Sequence, residues 1–445
     1  MGPELDTGIS AKRSYRIPRH MVVAGSAWAS RIVTTLVSLY SVRLLTEGLG
    51  VQHYAIYTLL VGLTAWFMLA DMGMSVSLQN YISEARAKQH SYDEYIAVSC
   101  FFVGLIGMSF IGLYYVLGSM FGTALLNKFG FLSAAEKSSD FITTATISVG
   151  ICFGSLVYRI WYAEQKGYWA NFLPAVAALA GLASIFLISK SDLSNKLLWY
   201  LIGGNIWFAA FPVGALVLKL VRIVDIQAMI QRDVFIALFK RAWHFWLFTV
   251  VAVTVLQVDY IILSQFVKPK EIVIYSITMK LFTLVGFLYG SVLQAFWPTC
   301  AEWAVGKEWA KIQSFVVKYI LFAMTCVAAF TGIAILFRVQ LLRFFMPSGG
   351  IALPATFIVL VGVSFLARAW TDVFAIVLQS MNDMRVLLFW AVIQAAINLT
   401  LQFLLAPKFG IYGVVLGLMA SFLLTVTWAL PKRVRILRLS SGILE

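Results

Sequence analysis

Charge is scarce in this sequence. Asp, Glu, Lys and Arg make up 12% of its 445 residues, about half the roughly 25% of an average soluble domain. That scarcity excludes an ordinary water-facing fold. Cysteine and histidine are rarer still, four of each. Cys100, Cys152, Cys300 and Cys326 fall in or beside apolar runs without metal-ligand spacing, and His20, His53, His90 and His244 are scattered. Neither a metal site nor a catalytic triad is expected from them, and no cofactor is implied. Also missing is any long polar connection, which leaves no room for a soluble catalytic or receptor domain.

What the chain does have is apolar sequence, 61% hydrophobic residues gathered into long runs. A membrane-spanning helix needs about 20 mainly apolar residues. Runs of that kind occupy 21–45, 52–80, 95–119, 141–163, 170–189, 196–219, 242–265, 271–297, 313–337, 351–380, 386–406 and 410–430. Their length and lack of alternation predict helices, since only helices and closed barrels satisfy their backbone in lipid. The expected fold is an all-α integral membrane protein, twelve transmembrane helices in two six-helix lobes around a central cavity. The segments follow as 1–20 (N-terminal), 21–219 (N-lobe), 220–241 (linker), 242–430 (C-lobe) and 431–445 (tail). The first run is too long for a leader's apolar core and contains Arg31, so it reads as a retained span.

Most Lys and Arg of the flanks fall on the side of the N-terminus, among them Lys12, Arg13, Arg16, Arg19, Arg222, Arg232, Lys240, Arg241, Lys432 and Arg433. This asymmetry places both termini in the cytoplasm. It also accounts for most of the net charge of +14, as a topology signal and an attraction to anionic headgroups. No nucleic-acid partner is implied; the bilayer is the partner.

The two halves echo each other. An offset of 218 residues lays Trp28 on Trp246, Tyr57 on Tyr275 and Glu84 on Glu302, the arrangement of a duplicated transporter. Against this background, Arg31, Asp71, Asp259, Lys280, Arg368 and Asp372 interrupt apolar runs. Ionisable groups at membrane depth are costly and mark a wet cavity or a partner. Helical spacing turns them into stripes: Ala27, Arg31, Thr34, Ser38 and Ser41 in the first span, Asp71, Ser75 and Gln79 in the second, and Ser276, Lys280, Thr283, Phe287, Ser291 and Gln294 in the eighth. Arg31 with Asp71, and Asp259 with Lys280, reach similar depths and could neutralise each other; Arg368 and Asp372 are spaced for a local i, i+4 pair. On the functional reading, Arg31, Lys280 and Arg368, with Gln79, Ser38 and Gln294, bind an anionic substrate. Asp71, Asp259 and Asp372 then serve ion coupling or gating. Arg suits phosphate through its bidentate fork and Lys as a point charge.

Residue patterns extend this. Arg43-Leu44-Leu45-Thr46, Gly48-Leu49-Gly50, Tyr54-Ala55-Ile56-Tyr57, Asp71-Met72-Gly73-Met74 and the stretch Tyr158 to Gly167 resemble bacterial polysaccharide flippases. These are the O-antigen flippases of the multidrug/oligosaccharidyl-lipid/polysaccharide exporter superfamily. The resemblance implies a V-shaped pair of lobes, alternating access, and a cationic cavity to which Arg31 and Lys280 would belong. The implied cargo is an undecaprenyl-diphosphate-linked oligosaccharide, moved across the bacterial inner membrane from the cytoplasmic to the periplasmic leaflet. H+ or Na+ would be the coupling ion, and a polysaccharide polymerase and chain-length regulator the partners. Two other classes compete: a multidrug cation antiporter of the same superfamily, which would favour acidic cavity residues, and an integral-membrane polysaccharide-assembly enzyme, which would need a catalytic cluster or long loop.

Overall fold

A computed structural model describes residues 19–223, 231–347, 352–381 and 383–442. Every regular element among them is helical. In chain order they are α1 (Arg19–Gly62), α2 (Thr64–Phe67), α3 (Met74–Ala87), α4 (Asp93–Leu125), α5 (Ala134–Ala163), α6 (Gly167–Ser189) and α7 (Lys196–Leu220). The second half holds α8 (Arg232–Phe266), α9 (Pro269–Val305), α10 (Trp309–Leu336), α11 (Arg338–Phe345), α12 (Ala355–Ser380), α13 (Met384–Phe409), α14 (Ile411–Leu424) and α15 (Val426–Gly442). The linker expected at 220–241 is helical from Arg232, and the tail expected from 431 continues a helix to Gly442. Residues 1–18, most of the expected N-terminal segment, lie outside the described residues, as do 224–230 of the linker.

Eleven helices among the described residues are long and apolar enough to cross a membrane, one fewer than the twelve expected. The difference lies in Gly25–Asp71, a single stretch of 47 residues. As one straight helix it would measure about 70 Å, more than twice the ~30 Å hydrocarbon core. Gly50 breaks it, with φ 69° and ψ 172°, a conformation open essentially to glycine. Thr34 and Val61 would stand about 40 Å apart on a straight helix, yet both line one cavity of about 210 Å³. The chain therefore reverses at Gly50, and α1 is a hairpin of two arms.

The second arm is the most enclosed part of its half. Tyr54 through Leu60 are all buried, none more than 7% exposed, so this segment faces protein on every side rather than lipid. The offset of 218 carries 54–60 onto 272–278, and Ile272 through Thr278 in α9 are likewise buried throughout. The repeat extends to contacts. Trp28 packs edge-on against Phe287 at 5.3 Å between ring centroids, and Trp246 donates to the Leu69 carbonyl at 3.0 Å. Trp246 and Phe287 are the offset partners of Trp28 and Leu69. Each tryptophan thus reaches the same position in the opposite half.

α8 is the strut between halves. Near the face where the chain begins it packs on α3: Ser77 donates to the Leu238 carbonyl at 2.9 Å, Tyr81 to the Ala237 carbonyl at 3.1 Å, and Arg241 pairs with Glu84 at 2.6 Å. Gly73, at φ 76°, allows the approach, because a Cβ there would run into the Ala242 carbonyl. Toward the opposite face α8 joins the second half, where Asn398 donates to the Val255 carbonyl at 3.0 Å. The halves also meet directly near that opposite face. Thr46 donates to the Phe345 carbonyl at 2.6 Å, and Gln265 to the Ala124 and Leu125 carbonyls at 3.2 and 3.3 Å.

At the chain-start end of the first half, Glu164 gathers four helices. Its carboxylate, 5% exposed, pairs with Lys219 at the end of α7 and with Lys166 at 3.3 Å. It also accepts from Tyr92 before α4 at 3.0 Å, while Arg86 of α3 donates to the adjoining Ala163 carbonyl. Burial pushes the Glu164 carboxyl up, but the Lys219 hydrogen bond and charge, the Tyr92 hydroxyl and Lys166 outweigh it and hold it below the usual carboxylate range. A lowered value means stability that is present above the ordinary carboxylate range and lost as pH falls through it. Glu164→Gln should cost about 3 kcal/mol at neutral pH, read as a lower melting temperature in detergent. The gap to wild type should close as pH is lowered toward 4. A gap independent of pH would remove the ion cluster as its source.

Candidate functional site

Three adjoining cavities, of about 340, 230 and 210 Å³, share Lys280; the first two lie between α1 and helices α8 and α9, and the third between α1, α6, α7 and α9. The largest holds Arg31, Thr34, Ser38, Lys280, Thr283 and Phe287. Tyr260 lines the first and second; the second adds Tyr57, Thr58, Gln257 and Ser276, and the third adds Ser41 and Asn205. Helical spacing does the positioning, since Arg31, Thr34, Ser38 and Ser41 follow one another at three or four residues and share a face. Lys280 lies about 16 Å along α9 from Pro269, and Arg31 about 18 Å along α1 from Arg19, so both stand deep within their spans.

Among the described residues no carboxylate lines any of the three cavities. The Arg31 guanidinium lies 5.0 Å from the Phe287 ring centroid, and the Lys280 ammonium 5.9 Å from that of Tyr54, whose hydroxyl it also meets at 3.4 Å. Aromatic faces attract cations without neutralising them. Among the described residues neither Arg31 nor Lys280 belongs to an ion pair.

The expected pairing of Arg31 with Asp71 and of Lys280 with Asp259 is therefore corrected. Asp71 closes a turn instead, accepting from the Gly73 amide at 2.8 Å and the Ser75 hydroxyl at 2.6 Å at the start of α3. Asp259, 5% exposed, accepts from the Tyr275 hydroxyl and from the Tyr260 amide at 3.0 Å. Arg368 and Asp372 form the local pair their spacing suggests, at 3.7 Å, and neither lines the cavities. Gln79 is not at the cavity either; its side-chain Oε1 accepts from Arg159 at 3.3 Å. Ser38 lines two of the cavities. The side chain of Gln294 lies outside the described residues. Local partners win wherever they exist, because a nearby hydroxyl or amide satisfies a carboxylate without bringing two distant charges together.

Several lining groups escaped sequence reading. Tyr57, Asn205 and Tyr260 sit within apolar runs where an aromatic or lone amide reads as packing. The repeat offset carried a usable signal: Tyr57, Thr58, Val61 and Gly62 fall on Tyr275, Ser276, Met279 and Lys280, and six of the eight line a cavity beside Lys280 itself. Asp140 was missed for a different reason. The span was expected to begin at 141, but α5 begins at Ala134, which leaves Asp140 fully buried with neither carboxylate oxygen hydrogen-bonded.

No protein-family model matches the chain. Over 94% of its length, and 96% of the relative's, it is 35% identical to a Salmonella typhimurium protein named "Putative O-antigen transporter". Over the same shares it is 32% identical to a Yersinia pseudotuberculosis "Putative O-antigen export protein". Among solved structures, "Lipid II flippase MurJ, inward closed conformation" superposes with a TM-score of 0.72 at 15% identity, covering 93% of this chain and 87% of that one. An inward-facing multidrug resistance MATE family transporter of the MOP superfamily gives 0.69 at 12% identity, covering 94% and 99%. At these identities the likeness is one of fold.

Whether water fills the cavity beside the lipid-facing surface can be read chemically. Thr34→Cys and Ser38→Cys should react with a membrane-impermeant maleimide in the intact membrane protein, because thiolate forms only where water reaches. Leu36→Cys, on the outward side of the same arm and 62% exposed, should stay unlabelled in lipid and react only after solubilisation. Equal labelling of all three would rule out a distinct wet face.

Proposed function

This chain belongs to the O-antigen transporter family, and from that premise we propose that it flips lipid-linked oligosaccharide across the membrane with its diphosphate held at Arg31 and Lys280. The observation that carries the reading is the charge left over in the cavity. Asp71, Asp259 and Asp372 are each taken by another partner, at Gly73 and Ser75, at Tyr260 and Tyr275, and at Arg368. Among the described residues two cations and no carboxylate face the cavity. An anionic headgroup gains there, through charge-assisted hydrogen bonds to Arg31 and Lys280. A cationic drug would meet repulsion, which disfavours the antiporter reading.

The hydroxyls and amide of Thr34, Ser38, Ser41, Tyr57 and Asn205 offer partners for sugar hydroxyls. The likeness in fold to alternating transporters supports a cycle in which the contacts near the opposite face, Thr46 with Phe345 and Gln265 with α4, break while others form. The Lys/Arg asymmetry supports an inner-membrane orientation with both termini cytoplasmic and cargo moving from the cytoplasmic to the periplasmic leaflet. The cargo is an undecaprenyl-diphosphate-linked repeat unit, which a polymerase and chain-length regulator would then receive. Asp259, buried against Tyr275, is the acid best placed to link an ion, H+ or Na+, to the cavity wall formed by Tyr260.

Arg31→Glu and Lys280→Glu should each lower surface O-antigen about tenfold or more in cells lacking their own transporter, while Lys280→Arg retains most of it. Full surface polysaccharide in both reversals, at equal protein levels, would sink the diphosphate site. For coupling, Asp259→Asn should transport with a flattened pH dependence in reconstituted vesicles. A profile that matches wild type would leave Asp259 a structural partner of Tyr275.

A further inference from the structure

On the face opposite the chain start, α10 ends at Leu336 and α12 re-enters at Ala355, and the short helix α11 lies between them. α11 has the make-up of an interfacial helix. Val339 and Phe344 are 51% and 44% exposed, with Phe337 just before them at 46%, and Arg338 and Arg343 flank the apolar surface. Such a helix, joined directly to a spanning one, rests at the level of the headgroups. Between α11 and the segment 352–355 opens a cavity of about 560 Å³, lined by both arginines and walled by Val339, Leu342, Met346 and Leu353. Neither arginine belongs to an ion pair among the described residues.

We propose that this cavity binds an anionic phospholipid, its phosphate between Arg338 and Arg343 and its glycerol and upper acyl chain on the apolar wall. Two cations call for an anion. The apolar wall excludes a free inorganic ion as the intended occupant, since it would gain nothing there, and the headgroup level supplies lipid phosphate at high local concentration. The site is distinct from the diphosphate cavity, with which it shares no lining residue.

The site also touches the seam between halves. Phe345, the last residue of α11, accepts the Thr46 hydrogen bond at 2.6 Å, and the Arg43 guanidinium lies 5.7 Å from the Phe344 ring centroid. A lipid that steadies α11 therefore steadies the contact that closes the opposite face.

The test uses the full chain in nanodiscs of phosphatidylcholine with increasing phosphatidylglycerol, followed by native mass spectrometry of retained lipid and by melting temperature. Wild type should retain phosphatidylglycerol over phosphatidylcholine and melt higher as its fraction rises. Arg338→Gln with Arg343→Gln should weaken that retention by roughly fivefold per arginine, and Arg31→Gln with Lys280→Gln should leave it unchanged. Equal retention of the two lipids by wild type would overturn the proposal, whether or not the α11 variant folds. So would displacement by millimolar inorganic phosphate, or loss of retention in the Arg31/Lys280 variant, which would assign the lipid to the central cavity.

Discussion

An unpaired charge at membrane depth is the constraint around which this molecule is arranged. Moving such a charge out of water costs more than any single contact returns, so each ionisable group in a span needs a stated solution. Asp71 is solved by a turn, Asp259 by a tyrosine hydroxyl and an amide, Asp372 by an arginine one turn away. Arg31 and Lys280 are solved differently, by aromatic faces and open volume. Water or an anion can complete them, and that is the chemistry a diphosphate carrier requires.

The repeat shows where this asymmetry entered. Position for position, the two halves bury the same seven-residue stretches and place tryptophans in equivalent contacts. The charges break the equivalence. Lys280 answers to Gly62, and Asp259 to Ser41. Gly62 carries no side chain because the Tyr260 ring occupies the space a Cβ would need. The two halves thus carry the cation on one side and room for the tyrosine beside it on the other.

Relatives and fold neighbours fit this picture at different depths. Relatives at about a third identity over nearly the whole chain establish the family, whereas the flippase and multidrug transporter structures share the bundle alone. One scaffold can serve either substrate sign, because helix packing leaves the cavity lining free to vary. The lining therefore has to be read residue by residue.

Sequence by itself determined the membrane class, the positions of nearly all spans, the break near Gly50 and the placing of Arg31 and Lys280 deep within apolar runs. Each of these is written in local composition or in spacing along one helix, which hydropathy and a 3.6-residue period expose directly. Sequence could not pair the charges. Matching depth suggested Arg31 with Asp71 and Lys280 with Asp259, but depth says nothing of rotation about each helix axis. Rotation is set by side-chain packing between helices, and it turned both acids toward closer partners. Only the tertiary structure decided that the cavity is left cationic, that Tyr57 and Tyr260 wall it, and that Gln79 and Arg368 stand elsewhere.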